Sequence, residues 1–180
     1  MRLGIYIGSF NPPHKGHIDV VNYLLNNSYV DRVLIVPTLG YWDKHNLIDL
    51  KHRINMLKYF QDEKIKIDTN HNKYIYTYEL MSALSKDYQD ELYLIIGADN
   101  IIDFDKWKNY QELLKYKIIV MNRDDIDIDK YINKYKSNNF IVVNDYKYIR
   151  VSSSMIRNKI DNKYLDKKVL KYIKDNNLYR

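Results

Sequence analysis

Short apolar runs, each bounded by polar or turn-forming residues, alternate along this chain with longer segments whose apolar positions recur every three to four residues. The runs predict strands at 2–7, 32–37, 64–69, 91–97, 117–122 and 139–144. The longer segments predict helices at about 16–27, 49–60, 76–87, 108–115, 127–136, 153–160 and 166–176. In the first of these, Ile18, Val21, Leu24 and Leu25 share one face. Alternation of strand and helix argues for an α/β class, a parallel sheet wound in both directions with helices on both faces. The Lys-rich, amphipathic segments at the end form a small helical C-terminal extension. No repeat, low-complexity stretch or linker interrupts the pattern, so 1–180 reads as a single domain. Ligands of such sheets gather at the carboxyl ends of the strands, around the point where strand order reverses.

Composition narrows the classes. A chain of 180 residues can bury a core of ordinary size. No apolar run is long enough to span a bilayer and the start has no signal-peptide pattern, while the lack of Cys fits a reducing, cytoplasmic setting. The absence of Cys excludes disulfides, zinc–thiolate sites and thiol catalysis. A formal charge of +6 suits polyanionic partners. Lys is nevertheless spread along the chain and mixed with Asp and Glu, with no dense basic block interleaved with aromatics. That distribution fits an enzyme with polyanionic substrates better than a nucleic-acid binder. A homo-oligomer remains open, because amphipathic helices alone reveal no interface.

Against this background Ile5-Tyr6-Ile7-Gly8-Ser9-Phe10-Asn11-Pro12-Pro13-His14-Lys15-Gly16-His17 stands out. A strand ends in Gly8, which lets backbone approach a ligand with no Cβ in the way. Pro12 and Pro13 stiffen the turn and donate no N–H, leaving the Ser9 and Phe10 amides to point inward. A helix then opens at Gly16, and its N-terminus offers N–H groups and partial positive charge to a phosphate. His14 and His17, at the entrance and first turn, can donate hydrogen bonds to triphosphate oxygens, more strongly as charge develops during transfer. Two other readings exist: the histidines cap the helix, or they share a metal, for which no third ligand lies nearby. The pattern is neither Gly-x-Gly-x-x-Gly nor a Gly-x-x-x-x-Gly-Lys P-loop.

A second run, Val151-Ser152-Ser153-Ser154-Met155-Ile156-Arg157, reads as an N-capped helix. Ser152, Ser153 or Ser154 can cap it while neighbouring hydroxyls and amides bind phosphate. Arg157, one turn on, can clamp the same phosphates. Other strand ends supply further candidates. Asp99 in Gly97-Ala98-Asp99 can accept from ribose hydroxyls or cap a helix starting near Ile101. Trp107 can stack on a heteroaromatic ring or sit in the core. Lys44 can bind phosphate or stay solvated, Arg53 suits a surface position equally well, and Arg123 ends a strand that can face the cleft.

His14-x-Gly16-His17 after Gly8-Ser9-Phe10-Asn11-Pro12 resembles the HxGH signature of the nucleotidylyltransferase superfamily. Residues 151–157 resemble its second signature, ISSTxIR, with Val151 for Ile and Ser154 for Thr. Gly97-Ala98-Asp99, Trp107, Thr77-Tyr78 before an apolar helix, and Arg53-x-x-Met56 are similar to the nicotinate or nicotinamide mononucleotide adenylyltransferases. The loop departs from the usual Pro-Pro-His-Lys, reading Tyr41-Trp42-Asp43-Lys44. The resemblance implies a Rossmann-like fold and transfer of the adenylyl group of ATP to a pyridine mononucleotide, with pyrophosphate released. It implies that Mg²⁺ travels with ATP and that no dedicated metal site exists. His14, His17 and Arg157 would be catalytic. Gly8, Ser9, Phe10, Gly16, Gly97, Asp99, Ser152, Ser153 and Ser154 would join them in binding ATP. Lys44, Thr77, Tyr78, Trp107 and Arg123 would bind the mononucleotide. The alternatives are a sibling such as phosphopantetheine adenylyltransferase or a cytidylyltransferase, or a non-catalytic nucleotide-sensing or RNA-binding module.

Overall fold

A computed structural model describes residues 1–40, 46–159 and 162–180. Among these, six strands form one wholly parallel sheet: β1 Arg2–Gly8, β2 Arg32–Pro37, β3 Ile65–Ile67, β4 Glu91–Gly97, β5 Lys117–Met121 and β6 Phe140–Val143. The helices are α1 Lys15–Asn26, α2 Leu50–Leu57, α3 Thr77–Asp87, α4 Ala98–Ile101, α5 Tyr110–Leu113, α6 Ile128–Ile132, α7 Ser153–Lys159 and α8 Lys167–Asp175. Strand order is β3-β2-β1-β4-β5-β6. The chain winds outward from β1 in one direction and then from β4 in the other, so the switch point falls between those two strands. The fold is α/β, Rossmann-like and doubly wound, as the alternation predicts.

The period-two pattern of the strands explains why both faces are covered. Leu3, Ile5, Leu34, Val36, Leu92, Leu94, Ile96, Ile118 and Val120 enter one buried cluster with Leu80, Met81 and Leu84 of α3. Their neighbours Val33, Ile35, Tyr93, Ile95, Ile119 and Met121 enter the other with Val21 and Leu24 of α1. Gly4 belongs to the second face, where a Cβ would stand 2.8 Å from Ile95 Cδ1. A third cluster joins Met56 of α2 to Val151, Ile156, Leu165, Val169 and Ile173, and so docks the C-terminal helices on the main body.

Element boundaries differ from the periodicity where local geometry intervenes. β3 is shorter than 64–69 because it is an edge strand paired only with β2, and the backbone N–H of Asp68 makes the last bond to Ile35. The segment 108–115 contracts to α5, because Asn109 adopts a left-handed conformation (φ 52°) just before it. The segment 127–136 breaks into α6 and a 3₁₀ turn, closed by Lys136 at φ 50°. The segment 49–60 likewise ends in a 3₁₀ turn, Lys58–Phe60.

Candidate active site

At the carboxyl end of β1 the chain turns sharply. Phe10 takes a left-handed conformation (φ 49°), and its buried ring folds back over Gly8. A Cβ on Gly8 would lie 3.2 Å from that ring. Phe10 thus fills the space a side chain at Gly8 would take. The Phe10 ring stands edge-on to Tyr6 and to His17, with centroids 5.5 and 4.9 Å away.

His14 is the N-cap residue of α1, and its ring stacks on His17 with centroids 3.6 Å apart and planes 19° from parallel. The His14 backbone N–H donates to His17 Nδ1 at 3.1 Å. That bond assigns the tautomer, since a nitrogen that accepts cannot carry the proton, and the neutral His17 ring must hold it on Nε2. Burial, reinforced by Arg123, lowers the His14 pKa to about 4. Burial, then His14 and Arg123, holds His17 well below its ordinary value. Both rings are thus neutral at physiological pH and act as N–H donors. The capping reading describes part of this geometry: His17 Nδ1 serves the helix start, and the proton of the ring sits on Nε2. His14 Nδ1 is buried with no hydrogen-bond partner among the described residues. Gly16 makes the stack possible, because a Cβ there would sit 3.0 Å from the His14 ring and 2.9 Å from Val151 Cγ1.

A cavity between the ends of β1, β4 and β5 is lined by Gly8, Phe10, His14, Gly16, His17, Gly97, Asp99, Arg123, Tyr6 and Tyr146, among others. Asp99 is exposed there and lies within α4, which begins at Ala98. It therefore does not cap a helix starting near Ile101; Gly97 holds the N-cap position. Gly97 also leaves room for the carboxylate, since its Cβ would fall 2.5 Å from Asp99 Oδ1. Arg123 follows β5, donates Nη2–H to the Val151 carbonyl at 3.1 Å and lines the same cavity as the histidines. Tyr146 donates its hydroxyl to Asp19 Oδ2 at 2.6 Å, tying this wall to α1.

The second motif is fastened to the first. Ser152 Oγ accepts from the Met155 N–H at 3.2 Å and so caps α7. Ser153 donates to the Pro12 carbonyl at 2.9 Å, and Arg157 Nη1 donates to the Asn11 carbonyl at 2.8 Å. Arg157 Nη2 donates to Ser154 Oγ at 3.1 Å. Two sequence motifs about 140 residues apart thus meet on consecutive carbonyls.

Arg53 corrects the surface reading. It is 1% exposed and donates to the carbonyls of Ser9 (2.8 Å), Thr38 (2.6 Å) and Ile48 (3.0 Å). It braces the loops after β1 and β2 from below, and burial lowers its pKa from the ordinary arginine value. The expected mononucleotide residues are less tightly gathered. Thr77 is the first residue of α3 and half-buried. Trp107 is also half-buried, packed on Phe104 with centroids 5.3 Å apart, so it is part of the core's edge and still accessible. Tyr78 instead lines a different, open cavity of about 640 Å³ between α3 and α5, with Tyr74, Glu79, Lys86 and Asp87. That larger cavity holds none of the two motifs. Lys44 lies outside the described residues. Asn11, Arg53, Tyr6 and Tyr146 had no predicted site role. Asn11 sat in plain view inside the motif, and its place before Pro12 was the available signal.

A sequence model of the cytidylyltransferase-like family matches residues 5–159. The "probable nicotinate-nucleotide adenylyltransferase" of Borreliella burgdorferi is 38% identical over 99% of this chain and 97% of that protein. The protein of the same name from Fusobacterium nucleatum is 34% identical over 96% and 97%. Among solved structures, Plasmodium falciparum nicotinic acid mononucleotide adenylyltransferase complexed with APC superposes with a TM-score of 0.79 at 26% identity, covering 99% of this chain and 96% of that one. The same enzyme complexed with NaAD gives 0.83 at 24% identity over 99% and 97%, a likeness of fold.

Proposed function

The chain belongs to the cytidylyltransferase-like family and, within it, to the nicotinate-nucleotide adenylyltransferases, and we propose that it transfers the adenylyl group of ATP to nicotinate mononucleotide, giving the dinucleotide and pyrophosphate for NAD biosynthesis. One observation in the site carries the reading beyond the name: a neutral histidine pair and Arg157 are fixed on one loop at the switch point of the sheet. In-line attack by the mononucleotide phosphate on the α-phosphorus of ATP needs no covalent intermediate and no strong base, because a phosphate oxygen is already nucleophilic at neutral pH. The protein's work is positioning and stabilisation of charge.

In this reading His17 Nε2–H donates to the α-phosphate as charge builds there. His14, Arg157 and the hydroxyls of Ser153 and Ser154 hold the β- and γ-phosphates, with Arg123 adding positive charge from the β5 side. Ser152 contributes as the cap of α7, and Ser9, Phe10, Gly8, Gly16 and Gly97 shape the floor. Asp99 accepts from ribose hydroxyls. Thr77 and the open face of Trp107 hold the pyridine ring, and Lys44 approaches the mononucleotide phosphate. Tyr78, on the other cavity, acts only through the placement of α3. Among the described residues no group of three or more His, Asp or Glu side chains could hold a metal ion. The reading takes Mg²⁺ as part of the Mg-ATP substrate. No helix of the described chain is long and apolar enough to cross a membrane, and the reading places the reaction in the cytoplasm, as one domain spanning 1–180.

Pyrophosphate release from Mg-ATP tests this, with nicotinate mononucleotide, nicotinamide mononucleotide and phosphopantetheine offered separately. Release with nicotinate mononucleotide above the other two is expected. Release with phosphopantetheine alone would keep the chemistry and overturn the acceptor. Silence with all three from protein that binds ATP would overturn the transfer itself.

A further inference from the structure

After α8 the chain makes a tight reversal. Asn177, left-handed at φ 52°, donates its N–H to the Lys174 carbonyl at 3.3 Å, and Leu178 donates to the Ile173 carbonyl at 3.0 Å. These are the paired bonds of a Schellman motif with Asn in the position usually held by Gly. The reversal aims the following residues back at the sheet, where Leu178 and Tyr179 pack against the third hydrophobic cluster. Tyr179 reaches the N-terminal motif: its hydroxyl donates to Asn11 Oδ1 at 2.7 Å.

Asn11 is a junction. It is 0% exposed, and its Nδ2 donates to the Asn46 carbonyl at 2.7 Å. Its Oδ1 also faces the Ile48 N–H at 3.4 Å, and its own carbonyl receives Arg157. The next carbonyl along, that of Pro12, receives Ser153. The Tyr179 ring lies close enough to both Arg53 and Arg157 to feel their charges. A buried carboxamide with this many partners has one orientation that serves them all, and the Tyr179 hydroxyl supplies the shortest contact to its oxygen among the described ones.

We propose that Tyr179 is a positioning residue for adenylyl transfer, its hydroxyl fixing Asn11 and through it the backbone carbonyl that aims Arg157 at the ATP phosphates. The tail after α8 is thus part of the site's support rather than a surface ending. The proposal rests on the adenylyl-transfer reading above. Small misplacements of a phosphate-holding group cost roughly ten- to a hundredfold in rate, and loss of one indirect contact falls at the lower end.

Tyr179→Phe in the full chain is the test, since it keeps the ring and its packing. A fall of about tenfold in kcat/KM for Mg-ATP is expected, with the KM for the pyridine mononucleotide unchanged. In an Arg157→Ala background the same substitution should add little, because the group it positions is gone. Kinetics of Tyr179→Phe within twofold of wild type would overturn the proposal. So would losses that multiply in the double variant. Calorimetric ATP affinity separates this from the parent reading. Weaker ATP binding by Tyr179→Phe, in a protein whose wild type releases no pyrophosphate, would retain the positioning role and sink the transfer reaction.

Discussion

His17 does two jobs with two nitrogens. Nδ1 closes the start of α1 by accepting from the His14 N–H, and that leaves Nε2 as the N–H donor of the neutral ring. Removing the ring should therefore strike the chemistry more than the fold. His17→Ala is expected to lower kcat by two to three orders of magnitude, roughly the cost of deleting one donor to a developing oxyanion. A folded variant with wild-type turnover would remove His17 from the reaction. Gly16 gives a subtler prediction. A methyl there meets the His14 ring and Val151, so Gly16→Ala should fold, with a melting temperature close to wild type, yet lose at least about tenfold in kcat/KM as the stack is pushed apart. Unchanged kinetics would mean that the stack yields without consequence. These residues were legible in the sequence because turn, helix start and histidines are contiguous. Arg53 was not, since its three acceptors lie in two loops, after β1 and after β2, and nothing local marks an arginine as buried.

At the scale of elements, the segment between β3 and α3 is pinned by one imidazole. His71 is 8% exposed, with Nδ1 2.8 Å from Asp68 Oδ1 and Nε2 2.6 Å from Asp87 Oδ2, the last residue of α3. Carboxylates at both nitrogens call for a ring protonated on both. Burial alone would lower its pKa, but the bonds to Asp68 and Asp87 outweigh that, and the net shift is upward from 6.5. A histidine with a raised folded pKa contributes stability that is fully present below about 6.5 and fades as pH rises through the folded value. His71→Gln should therefore cost more stability near pH 6 than near pH 9, measured by urea unfolding at each pH. An equal cost at both would remove the titrating ring from the account. Because α3 begins at Thr77, this pin also fixes one edge of the proposed pyridine site. The helix itself was legible from its apolar spacing, whereas the triad depends on the two ends of a 20-residue stretch meeting in space.

At the scale of the molecule, the site is a contract between the sheet and the C-terminal helices. Ser153 and Arg157 reach the first motif only while α7 and α8 stay seated on α2 through Met56, Ile156, Val169 and Ile173. Ile173 is 4% exposed, and Ile173→Ala should cost about 2–5 kcal/mol. The loosened clamp should also raise the KM for Mg-ATP while leaving that for the mononucleotide near wild type, as initial-rate kinetics at a temperature below the transition can show. A destabilised variant with an unaltered KM for Mg-ATP would mean that α8 does not support the phosphate site.

The chain's pattern by itself determined the class of fold and marked the candidate site's two motifs. Period-two runs alternating with helical periods admit few packings other than a covered parallel sheet, and a motif contiguous in sequence carries its own local geometry with it. Five of the six strands and the long helices fell where periodicity put them; β3, α5 and α6 came out shorter, because edge pairing and left-handed residues act over too few positions to leave a periodic trace. Only the tertiary structure decided which solitary residues matter. The burial of Arg53, the reach of Tyr179 to Asn11, the place of Tyr78 on the cavity between α3 and α5 and the neutral state of the two histidines all depend on contacts between distant segments. Desolvation and long-range hydrogen bonds are properties of the packed chain, and no local reading of residue order contains them.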